Sequence, residues 1–331
     1  MFLNFSDAAK FADVARSLYN GMGYNPLFSF PGGPPVTLPV TPYSILVFFK
    51  IFEVTDFAVI ATSFFYFLLS LIFVFLLAKK IYKSNLVGAL STVAVGFNYD
   101  LINYATSGAS ESPFVFEIVA ATYFISLKNK WGNVVALVLI VLMYLTRPQA
   151  FIYITGLLLY YLLLNLKAKK ALVYFAVFVS LGLLADKFLL PYLDGKFFTY
   201  SILNKGTNIL SQVGADQSAS DQLRSGVVTH NFSIVSSLKK VFYNLYNFYK
   251  LLPQIINPYL FALFVIGIFS QSNDRDKKIF KMVSLFLLLT TFLVTAISIP
   301  FFRYIHPIIP LIYIVATATI VEIINSQFLI F

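Results

Sequence analysis

Nine apolar runs, each approaching the roughly 20 residues a helix needs to cross a bilayer, are strung along this chain. They fall at about 57–78, 85–101, 113–127, 132–146, 149–166, 171–190, 254–270, 281–299 and 306–325. A chain built this way has few options. Backbone N–H and C=O groups find no water in hydrocarbon and must be satisfied within each segment, which leaves helices or closed barrels. The run lengths are helical. Only 11% of the 331 residues are charged and 59% are hydrophobic, against roughly 25% and 45–50% in soluble domains, so a folded monomer could not cover itself in water. The expected fold is an all-α, polytopic transmembrane helical bundle, one domain over residues 1–331. The third and fourth runs, about 15 residues each, could instead form a re-entrant pair.

The net charge of +10 does not point to nucleic acid, because the basic residues stand in short clusters between the runs. Lys79, Lys80 and Lys83 follow the first run, Lys128 and Lys130 the third, Lys167, Lys169 and Lys170 the fifth, and Arg275, Lys277, Lys278 and Lys281 the seventh. All twelve share one face, which the positive-inside rule makes cytoplasmic. Residues 1–56, 102–112 and 191–253 are then extracytoplasmic, with spans one to six at 57–190 and seven to nine at 254–331. The fourteen prolines fall in these outer stretches or at the outer ends of spans. Irregular backbone is tolerated at membrane depth only where it lines a cavity or is buried in protein, so chemistry is expected on the outer face. The protein reads as an integral membrane protein. No cysteine is present, which excludes disulfides and thiolate metal sites.

Within the outer segments, residues 7–20 place Ala8, Phe11, Ala12, Ala15, Leu18 and Tyr19 at helical spacing, predicting a short amphipathic helix in the interface. Ser6 or Asp7 caps it, Gly21 and Gly23 end it, and Asp13 and Arg16 form its solvated face. Residues 26–42 should run extended, and about 236–252 should form a second surface helix.

Scarcity of charge narrows the candidates. Asp7 opens the first interfacial helix, where a carboxylate is favoured by the helix dipole; Glu111, in SGASESPF, stands just before Pro113. Each could be a cap. Two carboxylates converging on one membrane-surface cavity could also divide the roles of base and of cation or substrate holder. A divalent cation could bind them, although no ligand set is complete. Glu117 lies deeper in span three, where an ionisable group is costly and is either functional or neutral and hydrogen-bonded. Arg147 in LTRPQ and Arg303 in FFRYIHP end spans on the outer side. They snorkel to headgroups or hold a lipid phosphate, whose oxygens fit the guanidinium fork. His306, Lys50 and Lys10 are weaker substrate-binding candidates. No Walker loop, dinucleotide fingerprint or nucleophile elbow occurs.

The succession SDAAKFADVARSLYNGMGY, PGGPP, GASESPF, TRPQ and RYIHPIIP resembles the multi-spanning glycosyltransferases of the GT-C type. Within them it is most similar to prokaryotic relatives of protein O-mannosyltransferases and the lipid A aminoarabinose transferase. The resemblance covers nearly the whole chain, through loose motifs in a specific order. It implies transfer of a sugar from a polyprenyl-phosphate donor to a protein, lipid or glycan acceptor on the outer membrane face. It also implies that Asp7 is the catalytic carboxylate, that Glu111 is the acid of the second outer loop, and that Arg303, with Arg147, binds the donor phosphate. The family carries a transmembrane helix before the first acidic motif, whereas six residues precede Asp7 here; either the recorded start is internal to the gene or a helix has been lost. Ala8 also replaces the second acid that many relatives have.

The function expected from these readings is an inverting membrane glycosyltransferase. The alternatives are a transporter or flippase for a lipid-linked saccharide, a polysaccharide polymerase, and a structural subunit of a catalytic partner. A flippase would place ionisable groups near mid-membrane in matching halves, whereas these charges gather at one face.

Overall fold

The computed structural model describes residues 6–28, 37–147, 149–167, 169–170, 172–176, 180, 234–297 and 302–328. Every regular element among them is a helix, and the sequence places the caps. Thr55, Ser84, Asn98 and Asn129 each accept a first-turn N–H, opening α3 (Asp56–Tyr82), α4 (Asn85–Gly96), α5 (Tyr99–Ser107) and α7 (Lys130–Thr146). These contacts satisfy amides that have no partner within the helix. Before and between them run α1 (Ser6–Tyr19), α2 (Val40–Phe52) and α6 (Glu111–Ser126). The chain continues with α8 (Ala150–Asn165), α9 (Ile234–Ile255), α10 (Pro258–Phe269), α11 (Arg275–Ile297) and α12 (Ile309–Phe328). Two 3₁₀ turns, Phe302–Tyr304 and His306–Ile308, lead into α12.

The result is an all-α membrane bundle. Three helical stretches are long and apolar enough to cross a membrane: Asp56–Tyr82, Arg275–Ile297 and Phe302–Asn325. A fourth candidate is bent by 111° between Val241–Ile255 and Pro258–Phe269. The shorter helices α2, α4, α7 and α8 are also apolar, and α7 leaves Val134, Leu137, Val138 and Val141 exposed along its length. Against lipid, helices gain little from hydrophobicity and rely on close packing and buried hydrogen bonds. Both occur here. Gly156 lets α8 lie directly on Leu287 of α11, and Gly267 lets α10 lie on Thr319 and Val315 of α12. Ser91 and Thr317 share a buried hydrogen bond of 2.6 Å between α4 and α12, and Asn244 donates to the Ala296 carbonyl (2.8 Å) between α9 and α11.

Several expectations change. The second apolar run, expected as one span over 85–101, breaks at Phe97 and Asn98, because the Asn98 side chain accepts the Leu101 N–H (3.0 Å) and starts a new helix. The adjoining stretch 102–112 is therefore mostly helical, ending where Gly108 takes φ 75°, a left-handed cap that glycine adopts without strain. Residues 40–42, expected to be extended, form the first turn of α2, where Pro42 costs little. Asp13 is buried and accepts the Phe28 N–H (3.0 and 3.2 Å), so it ties the following loop to α1 and is not on a solvated face. Arg16 is half-buried, 3.8 Å from Asp56. Most of the sixth run, 171–190, and residues 191–233 lie outside the described residues.

Contacts at one end join the basic clusters. Lys83 meets Asp274 (2.9 Å), Lys128 meets Asp276 (2.6 Å), and Arg275 donates to the Leu163 and Leu166 carbonyls at the end of α8 (2.7 and 2.9 Å). Helix α1 sits at the opposite end, where Phe11, Ala12 and Ala15 pack on Ile45 and Phe49 of α2 and on Ala58 and Val59 at the start of α3.

Candidate functional site

Four helix beginnings and turns meet at the end of the bundle where α1 lies. Asp7 is in the first turn of α1, Glu111 in the first turn of α6, Arg147 in the turn between α7 and α8, and Arg303 in the first 3₁₀ turn before α12. Both carboxylates stand where a helix dipole favours negative charge. Glu111 does not close its own helix: the N-cap residue is Ser110, whose side chain makes no capping hydrogen bond. Ser110 Oγ instead accepts from Arg147 Nη1 (3.0 Å).

The four charges form one chain. Arg303 Nη1 donates to Asp7 Oδ2 (2.8 Å), Arg303 Nε lies 3.9 Å from Glu111 Oε1, and Arg147 Nη1 lies 2.5 Å from the same Glu111 oxygen. Lys10 Nζ stands 3.8 Å from Asp7 Oδ1. The chain runs from exposed to buried: Asp7 and Arg303 side chains are each 30% exposed, Arg147 and Glu111 only 7% and 3%. Burying a charge is tolerable only with a close partner, and Arg147 is that partner for Glu111. The short Arg147–Glu111 contact is an ion pair. Glu111 Oε1, Ser112 Oγ, Arg147 Nε, His306 Nε2 and both amide atoms of Gln149 are buried without a hydrogen-bond partner. Buried polar atoms are normally satisfied, and Glu111 Oε1 is compensated by the Arg147 ion pair.

A second cluster adjoins the first. Tyr104 Oη and His306 Nδ1 share a hydrogen bond of 2.6 Å, and His306 Nε2 faces Asp100 Oδ2 at 3.7 Å. Burial, then the negative charges of Glu111 and Asp100, push the Tyr104 phenol well above its ordinary range, so it keeps its proton at physiological pH. In the tautomer in which the phenol donates to Nδ1, the neutral imidazole carries its proton on Nε2, facing Asp100.

All of the outer-face residues expected to matter most, Asp7, Glu111, Arg147 and Arg303, are thus brought together, with His306 beside them. Lys50 is not in this group; it is exposed in the last turn of α2. Glu117 is buried one level deeper on α6 and accepts from Thr146 Oγ1 (2.7 Å), which leaves its other oxygen unpartnered. Asp7 and Glu111, the two carboxylates considered for a cation, have the Arg303 guanidinium between them. No group of three or more His, Cys, Asp or Glu with metal-holding geometry occurs among the described residues. Sequence reasoning missed Asp100, Tyr104 and Gln149. Asp100 and Tyr104 are an i, i+4 pair that shares one face of a helix, a signal hidden as long as residues 85–101 read as one span.

An all-α membrane bundle with a charged chain gathered at one end is the class that fold and site define. Residues 33–187 match the family model of the dolichyl-phosphate-mannose-protein mannosyltransferases. That match supports the GT-C glycosyltransferase resemblance, and it indicates a mannosyltransferase-like glycosyltransferase. No curated protein and no solved structure matches the chain.

Proposed function

We propose that the protein transfers a sugar from a polyprenyl-phosphate donor to an acceptor hydroxyl at the extracytoplasmic membrane surface, with inversion at the anomeric carbon. The observation that carries this reading is the chain Asp7–Arg303–Glu111–Arg147, assembled from four distant parts of the sequence. Asp7 Oδ1 accepts the proton of the acceptor hydroxyl as the hydroxyl oxygen attacks the anomeric carbon. The bond from that carbon to the phosphate oxygen breaks, and its electron pair leaves with the lipid phosphate. Arg303, the more exposed of the two guanidiniums, holds Asp7 through Nη1 and stabilises the growing charge on the phosphate. Interactions aimed at charge that develops in the transition state are the ones that accelerate a reaction. Glu111 steadies the Nε edge of Arg303, and Arg147 compensates Glu111, so the guanidinium is preorganised from behind.

Sidedness follows from the other end. Lys79, Lys80, Lys83 and Lys128 cluster with Arg275 and Lys277, which by the positive-inside rule is the cytoplasmic face, so the charged chain faces outward. Helix α9 exposes Phe242, Tyr243, Tyr246 and Tyr249, with Lys250 held 4.6 Å over the Tyr246 ring, the make-up of a helix lying at the headgroup level. The donor's lipid tail is accommodated beside the bundle, within the bilayer.

The test is reconstitution of the full chain in liposomes that hold polyprenyl-phosphate mannose and a mixture of hydroxyl acceptors. Release of lipid phosphate coupled to sugar transfer is expected. Movement of the intact lipid between leaflets without sugar release would favour a flippase and contradict the reading.

A further inference from the structure

Among the described residues, the carboxamide of Gln149 has both of its polar atoms, Oε1 and Nε2, buried and without a hydrogen-bond partner. A structural role lies close at hand and is not taken. Gln149 occupies the N-cap position of α8, yet its side chain makes no capping hydrogen bond, and glutamine is not a residue favoured there. An amide that is neither solvated nor capping retains one donor side and one acceptor side, held at fixed spacing.

Its location ties it to the charged chain. Gln149 follows Arg147 by two residues in the same turn, where the Ala150 N–H donates to the Arg147 carbonyl (3.1 Å). One helical turn further on, at i+4 and so on the same face, Tyr153 packs edge-on against Phe114 of α6 with ring centroids 5.3 Å apart. The Tyr153 hydroxyl donates to the Tyr304 carbonyl (3.3 Å), one residue past Arg303. That face of α8 therefore looks onto the first turn of α6, which carries Glu111, and onto the segment that carries Arg303.

We infer that Gln149 reads the sugar of the donor, its amide N–H donating to one hydroxyl and its carbonyl accepting from a neighbouring one. This rests on the transferase reading, in which Arg303 holds the phosphate to which that sugar is joined. A side-by-side donor and acceptor fits two adjacent sugar hydroxyls, and a site built to hydrogen-bond a hydroxyl rejects the analogue that lacks it because the site's own groups are left unpaired. Gln149 is thus a specificity-determining residue and takes no part in proton transfer.

The experiment compares wild type with Gln149→Ala and Gln149→Glu in liposomes, using polyprenyl-phosphate mannose and its four monodeoxy analogues. Wild type should lose about 10-fold or more in kcat/KM with the one or two deoxy donors that lack the hydroxyls being read. Gln149→Ala should lose a similar factor with the intact donor and no longer distinguish those analogues from it. A variant that still ranks the analogues as wild type does, or that loses the same factor with every donor, would overturn the assignment. Thermal stabilisation by each donor lipid is measured in parallel. If wild type releases no sugar, the transferase reading fails by itself. The amide assignment is then upheld as a binding site if mannosyl lipid stabilises wild type and not Gln149→Ala, and overturned if it stabilises both equally or neither.

Discussion

At the lysine-rich end, Lys83 reaches Asp274 with 77% of its side chain in the open, whereas at the other end Arg147 and Glu111 are paired with side chains only 7% and 3% exposed. The same type of contact does different work in the two places. An exposed pair gains little, because water and salt screen it and two long side chains lose freedom. A buried pair repays its desolvation only when well placed, and removing one partner strands a charge. The Lys83–Asp274 contact can therefore be lost with little consequence for the fold. The buried Arg147–Glu111 pair cannot, because either partner alone is a stranded charge.

Three experiments separate the two ends. The largest effect is expected from Arg147→Met, which leaves Glu111 buried without its partner and should cost about 3–5 kcal/mol in unfolding experiments in detergent. Adding Glu111→Gln to that variant should recover most of the loss, because no charge is then stranded. Failure of the double variant to recover would mean that packing, not charge, dominates the pair. Next is Arg303→Lys. An ammonium cannot hold Asp7 and face Glu111 with two edges of one planar group, so sugar transfer should fall by about 10–100-fold while the melting temperature stays near that of wild type. The smallest effect is expected from Asp274→Asn, with a melting temperature within about 1 °C of wild type at neutral pH. The Lys83 hydrogen bond holds the Asp274 carboxyl below its ordinary value, and the same contact holds the Lys83 ammonium above its own. Whatever stability the pair adds is present between the two unfolded values, 3.8 and 10.5. It is lost as pH falls through the folded value of Asp274 or rises through that of Lys83. Any difference between Asp274→Asn and wild type should therefore shrink as pH falls below 3.8 and through the lowered value of the Asp274 carboxyl.

The same contrast separates what is legible in the sequence from what is not. Hydrophobic runs and basic clusters are local signals, and α3, α11 and the lysine-rich loops can be read from them. The helix expected at 7–20 is legible too, and is found as Ser6–Tyr19. Where charge is scarce, each charged residue is conspicuous, and Asp7, Glu111, Arg147 and Arg303 stand out on that ground alone. Side-chain competition for the backbone is harder to read: Asn98 interrupts an apolar run that hydropathy treats as continuous. Helix α2 is hidden because six prolines between Pro26 and Pro42 suggest extended chain up to a point where a proline in fact sits in a first helical turn. Asp13 is misplaced by helical periodicity, which assigns a face without showing what covers it. A loop N–H returning from Phe28 covers Asp13, and no pattern within the helix announces that contact. Gln149 stands at the end of the TRPQ stretch, but its amide gives no signal of its own, having no charge and no period.

The most direct test sets one variant from each end against wild type in the same liposome assay of sugar transfer from polyprenyl-phosphate mannose. Asp7→Asn should reduce transfer by about 10²–10⁴-fold, the usual contribution of a positioned base, while Lys83→Gln should remain within about twofold of wild type. Wild-type transfer by Asp7→Asn, or an equal loss in Lys83→Gln, would contradict the account.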